Sequence, residues 1–142
     1  MNCPHCNTHI DEHEASPCFD AWVAEAVMGW TVEVDESLGA YWYKNNSLFS
    51  ADIDQYPHNT SSWCPSRHIA AAWEVHEIAC NWIFSKRAEY FRGLQRSVSA
   101  REYPRGQFLW PDVMLFLKPE DFCRAAINAE KSHRRELEDG ST

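Results

Sequence analysis

Cys3-Pro4-His5-Cys6 is the densest chemistry in the chain. A two-residue spacer lets two thiolates face one point in a tight turn, which is the recurring half-site of structural zinc. Completion needs two further soft or borderline ligands, and His9, His13 and Cys18 follow. His13 with Cys18 gives the pattern C-x2-C-x6-H-x4-C, with His9 or His5 as alternatives to His13. Cys18 falls in the first turn of a helix that Ser16 would cap and Pro17 would open, where the helix dipole favours a thiolate. A redox CxxC follows a strand and opens a helix, and this one does neither. Four ligands at these spacings describe a closed structural Zn2+ site, whereas a catalytic site keeps a position open.

Other residues carry weaker signals. His76-Glu77-Ile78-Ala79-Cys80 has the outline of a zinc-protease helix with Cys in the last position. His76 and Cys80, four apart, share a helix face, and the plain reading is packing beside Trp73 and Ile83. Asp52 and Asp54 sit in a loop-like stretch, where an exposed turn is the ordinary explanation. The same polar, aromatic stretch makes Trp42, His58, Trp63 and Arg67 the residues to line a small-ligand pocket. Cys64 has no identifiable base partner. No glycine-rich phosphate loop or nucleophile elbow is present, so nothing in the sequence demands an enzyme.

The elements that must hold these residues follow from periodicity. Phe19, Trp22, Val23, Ala26 and Val27 mark one helix face, and Gly29 stops it. Thr31 to Asp35 alternates as a strand, Asp35 to Gly39 turns, and Ala40 to Lys44 returns. Leu48 to Pro65 reads as a long loop with room for one short strand. Ser66 is placed to cap a helix whose apolar positions run from Ile69 to Leu94, continuous or broken near Ser85. Tyr103-Pro104-Arg105-Gly106 ends it. Phe108 to Leu117 is almost continuously apolar, as in a strand buried on both faces. Pro119 opens a last helix packed through Phe122, Cys123, Ala126 and Ile127, and the charged tail from Lys131 is expected to fray.

The chain has 142 residues, the size of one core, with 44% hydrophobic and 13% aromatic residues to fill it. Its net charge of -8 and scattered cations disfavour a grip on nucleic-acid phosphates. No apolar run approaches the roughly 20 residues that span a bilayer. Six cysteines in a chain expected to be cytosolic suit metal ligation or core packing better than disulfides. The expected organisation is a zinc-binding arm over 1–18 and a domain over 19–142. The order of helices and strands suggests an α+β fold, a small layered α-β-α sandwich.

Three stretches resemble the phage ABA-sandwich domain family. Phe19 to Trp30, ending in Met-Gly-Trp, is similar to its opening helix. Ser66 to Glu74, with Ile69-Ala70-Ala71-Ala72-Trp73-Glu74-Val75, is similar to its central helix. Asp121-Phe122-Cys123-Arg124-Ala125-Ala126 is similar to its closing helix. The resemblance covers about residues 19–130 and brings no catalytic residues. It implies a phage or prophage accessory protein in the host cytoplasm, non-enzymatic, binding a host protein or a small host ligand in the manner of a counter-defence factor. A homo-oligomer is compatible with this reading. The alternatives are a zinc-dependent nucleic-acid adaptor, against which Asp11, Glu12 and Glu14 in the arm count, and a small enzyme using His76 or the Asp52/Asp54 pair.

Overall fold

A computed structural model of the chain describes residues 1–35, 40–44, 58–59, 63–102 and 116–139. A 3-10 turn over Ile10–Glu12 precedes α1, Pro17–Ala26. Strands β1 (Thr31–Asp35), β2 (Ala40–Lys44) and β3 (His58–Asn59) follow, then α2 (Ile69–Cys80), α3 (Phe84–Glu102) and α4 (Pro119–Asp139). The fold is mixed and mostly helical, an α+β arrangement around a small antiparallel sheet of order β1-β2-β3.

α1 begins as its sequence dictates. Ser16 is extended, its hydroxyl accepts from the Phe19 N–H at 3.2 Å, and Pro17 fills the first helical position. Gly29 ends the helix at φ +71°, a left-handed conformation that glycine adopts without penalty. The expected single apolar face is exceeded, because Phe19 through Ala24 are all buried. α4, β1 and β2 pack against this helix, and the arm covers it as well, so little of it is left for solvent.

In the sheet, Val32 pairs with Tyr43 and Val34 with Tyr41. Residues directly opposite share a face, and alternate residues return to it. Tyr41 and Tyr43 therefore point the same way, and Trp42 points the other way. Tyr43 is fully buried and meets Trp30 and Trp63.

The long helical pattern breaks at Asn81 to Ile83, close to the expected position near Ser85. Ser66 does not cap α2. His68 occupies the capping position without a side-chain bond. Ser66 instead clasps the start of α1: its Oγ accepts from Ser16 N at 3.2 Å, and its own N–H donates to Asp20 Oδ1 at 2.7 Å. Arg67 closes on the other carboxylate oxygen of Asp20, at 3.2 Å from Nε and 3.1 Å from Nη2. Burial pushes the Asp20 carboxyl up, and the bonds from Ser66 and Arg67 oppose that shift.

α3 and α4 form the closest helix pair. A Cβ on Gly93 would stand 3.0 Å from Ala125 Cβ, so the crossing needs a glycine there. α4 is amphipathic, buried from Asp121 to Ala129 and exposed from Arg134 to Asp139. The tail does not fray at Lys131; helix continues to Asp139, supported by Arg134 on Glu130 at 2.9 Å. Of the strand expected over Phe108 to Leu117, residues 108–115 lie outside the described residues, as do Asp52, Asp54 and the 103–106 stop. Phe116 is helical and Leu117 is in the short link to α4, so neither belongs to a strand.

Candidate metal centre

The knuckle is built by backbone bonds. Cys3 N–H donates to Thr8 O at 2.9 Å and Asn7 N–H to Cys3 O at 2.8 Å. Asn7 takes φ 62°, a left-handed position that asparagine tolerates. The His5 N–H points at Cys3 Sγ from 3.4 Å. The first two cysteines are thereby turned to one side.

The turn over Ile10–Glu12 then carries His13 inwards, where it is 5% exposed and stacks on Phe19 at 4.8 Å between ring centres. Its Nδ1 lies 2.9 Å from Glu14 O. A carbonyl can only accept, so Nδ1 carries the proton and Nε2 is left with its lone pair. Nε2 stands 3.3 Å from Cys6 Sγ. Cys18, one residue inside α1, brings its Sγ within 3.4 Å of Cys3 Sγ.

The four ligand atoms of Cys3, Cys6, His13 and Cys18 all lie within 4.8 Å of one another. Tetrahedral zinc with its usual bond lengths separates two sulfurs by about 3.8 Å and sulfur from nitrogen by about 3.5 Å. The cluster is compatible with a metal ion of that kind, and its donor set of three sulfurs and one imidazole suits zinc.

The two alternative histidines have other partners. His9 caps the 3-10 turn, its Nδ1 accepting from Asp11 N–H at 3.2 Å. His5 Nε2 lies 3.1 Å from Glu25 Oε1, with its ring edge-on to Tyr41.

Thiol electrostatics differ from the expectation for Cys18. Burial comes first in pushing that thiol up, and the neighbouring Cys3 and Cys6 add to it. These outweigh the helix terminus. Cys3 is also raised by burial. Cys6 behaves oppositely: slight burial pushes it up, but bonds from Thr8 and the other two thiols bring it down to about 6. A cation bound among three thiols this close would displace their protons and stabilise the thiolates. Burial pushes the hydroxyl of Tyr41, from β2, up, and the neighbouring Cys18 adds to that shift.

Arg124 on α4 fixes the arm from the far side. Its Nε donates to Ile10 O at 3.0 Å and its Nη2 to His13 O at 2.7 Å. Cys3 and Ile10 belong to the same buried core as α1 and α4. Sequence spacing found all four members of the cluster. It missed Arg124 and Tyr41, since neither carries a local signal.

The structure distributes the four residues named for a ligand pocket. Trp63 is buried against Trp30 and Tyr43, and its Nε1 donates to Glu74 at 2.9 Å. Arg67 is engaged with Asp20. Trp42 faces away from Tyr43 and hence from Trp63. The His58 backbone pairs with Tyr43, and its side chain lies outside the described residues. A cleft of about 480 Å³ opens elsewhere, between the arm, α3 and α4, lined by Asp11, Arg96, Ser97, Asp121, Arg124 and Asn128.

Residues 21–93, from within α1 through the first half of α3, match the family model described as the phage ABA sandwich domain, about half of the chain. The chain belongs to this family. The match to the ABA sandwich domain begins after the Cys/His cluster and ends before α4, so both the cluster and Arg124 lie outside it. No curated protein and no solved structure matches the chain. Among the described residues of this ABA sandwich protein, no helix is long and apolar enough to cross a membrane.

Proposed function

We propose that the chain is a phage accessory protein that acts by binding a host component, with one structural Zn2+ ion held by Cys3, Cys6, His13 and Cys18. The reading rests first on the convergence of these four ligand atoms within 4.8 Å. A full tetrahedral set leaves no coordination position for substrate, so the metal's work is mechanical. It joins the knuckle to α1, while Arg124 joins it to α4. On this view residues 1–18 are a fastened arm on a layered α-β-α domain, working in the host cytoplasm.

The partner is a host protein or a small host ligand. For a small ligand, the polar cleft between the arm, α3 and α4 is better placed than the aromatic loop, because Trp63 and Arg67 already have partners. Its size falls within the range of ligand sites. An acidic chain with no Lys or Arg in the arm weighs against a nucleic-acid partner.

Elemental analysis of the purified protein tests the metal: one zinc per chain is expected, falling to a small fraction in Cys6→Ser and Cys18→Ser variants. Metal-free wild-type protein with unchanged stability would end this reading of the arm. Calorimetric titration with cyclic nucleotides and ADP-ribose derivatives tests the cleft. Heat lost in Arg96→Ala supports a small ligand there, and no heat from any compound turns the reading to a protein partner.

A further inference from the structure

The chain has six cysteines, and the structure separates them by situation. Cys3, Cys6 and Cys18 are in the metal cluster. Cys64 and Cys123 are buried. Cys80 is outside the cluster, partly exposed, and has a base beside it.

That base is His76. The two residues are four apart on α2 and so share a face. Cys80 Sγ lies 3.4 Å from His76 Nε2, and His76 Nδ1 lies 2.9 Å from the hydroxyl of Tyr90 on α3. Trp73, Phe91 and Phe122 surround the imidazole, at 4.8, 6.1 and 5.4 Å between ring centres. The imidazole can take either tautomer, and the one whose Nδ1–H donates to the Tyr90 oxygen turns the Nε2 lone pair to the thiol. The Arg87 guanidinium, from α3, reaches the Cys80 carbonyl at 3.3 Å and sets a positive charge near the sulfur. A nucleophile, a base and a group that orients the base are the parts of an activated thiol. Trp73, which packs on the imidazole, is 45% exposed.

The geometry points to Cys80 and His76 as a thiol–imidazole pair that exchanges with low-molecular-weight disulfides of the glutathione kind, with Tyr90 as positioning residue. In the exchange Cys80 Sγ attacks one sulfur of the disulfide. The S–S bond of the reagent breaks, a Cys80–S–S–R bond forms, and the thiol proton passes through His76 Nε2 to the departing thiolate. The products are a mixed disulfide and one free thiol, with no further oxidant.

The groups facing the pair set its pH range. Burial lowers His76 from 6.5, with Glu77 of its own helix opposing. Burial raises Cys80 from 9.0, with Arg87 of α3 opposing and Glu77 adding to it. Tyr90 on α3 is raised by burial and stays neutral, and α4 presents Phe122 and the buried Cys123. The thiol and the neutral imidazole therefore coexist between these two ordinary values.

The test is the rate of reaction of zinc-loaded protein with 4,4′-dithiodipyridine from pH 5 to 10, with peptide mapping of the first-labelled cysteine. Cys80 is expected to label first, with a rate that levels off across neutral pH. His76→Gln should react at least about tenfold more slowly at pH 7 and rise log-linearly with pH instead. Tyr90→Phe should keep the plateau at a reduced rate, and it decides the matter with the wild-type profile if circular dichroism shows His76→Gln unfolded. First labelling elsewhere, a log-linear wild-type profile, or a His76→Gln rate and profile equal to wild type would overturn the assignment.

Discussion

Arg124 Nη2 donates to the main-chain carbonyl of His13 across 2.7 Å, joining α4 to a metal-cluster residue 111 positions earlier. The bond goes to backbone, so it does not depend on which side chain stands at position 13. It does depend on where the chain runs there, and His13 is also a member of the Cys/His cluster. The arm is thus held by a cluster on one side and a guanidinium on the other.

Arg124→Ala should therefore destabilise the fold by about 2–3 kcal/mol, the scale of lost charge-assisted bonds to two buried carbonyls. Urea unfolding would measure it. Arg124→Lys, which keeps the charge but cannot reach both carbonyls, should recover only part of the loss. Zinc affinity should fall in both variants, and an unchanged affinity would mean that the arm folds independently of α4.

Chelation should loosen the N-terminal end before the helices. Hydrogen exchange of amides in residues 3–20 is expected to accelerate on zinc removal, while the buried middle of α3 and the first half of α4 stay protected. Equal acceleration throughout would instead make the metal part of the global fold.

Gly93→Ala should cost about 1–2 kcal/mol. Overpacking in a tight contact costs roughly 1–3 kcal/mol, and alanine's better helix propensity returns up to about 1 kcal/mol. The new methyl would lie 3.0 Å from Ala125 Cβ and 3.2 Å from Ala125 Cα. Ala125→Gly should cost less in the Gly93→Ala background than in wild type, because there it also relieves the clash. Equal costs in the two backgrounds would place the strain elsewhere.

His76 makes stability depend on pH. Its folded pKa is lowered by burial from 6.5, so the unfolded state binds the proton more readily. The stabilising contribution is complete above about pH 6.5 and is lost as pH falls through the lowered folded value. Comparing wild type with His76→Gln isolates this from the other histidines. The variant should show a flatter fall in unfolding free energy below pH 6.5, and parallel curves would contradict the prediction.

Much of this was legible in the sequence where the signal is local. Ser16-Pro17 and Gly29 bound α1 because capping is written in adjacent residues. The Cys/His cluster declared itself by spacing. What stayed hidden depends on pairing across the chain. Ser66 has the chemistry of a helix cap, yet the nearest unsatisfied groups in space belong to Ser16 and Asp20, so it bonds there. Trp63 and Arg67 look like pocket residues because a polar aromatic loop exposes them in one dimension. Folding supplies Glu74 and Asp20 as their partners. Periodicity also underestimates burial in α1, since it cannot count how many neighbours surround a helix.

The bond between Arg124 and His13 bears on the order of assembly during synthesis. The cluster residues from Cys3 to Cys18 leave the ribosome before the helices, and they span a loop short enough to close around a metal ion at once on the zinc reading proposed above. The guanidinium that seats the closed knuckle follows more than a hundred residues later. On that reading the arm is metallated early and docked last. Until α4 arrives, a bound zinc ion would preserve a preformed plug for a socket still being translated.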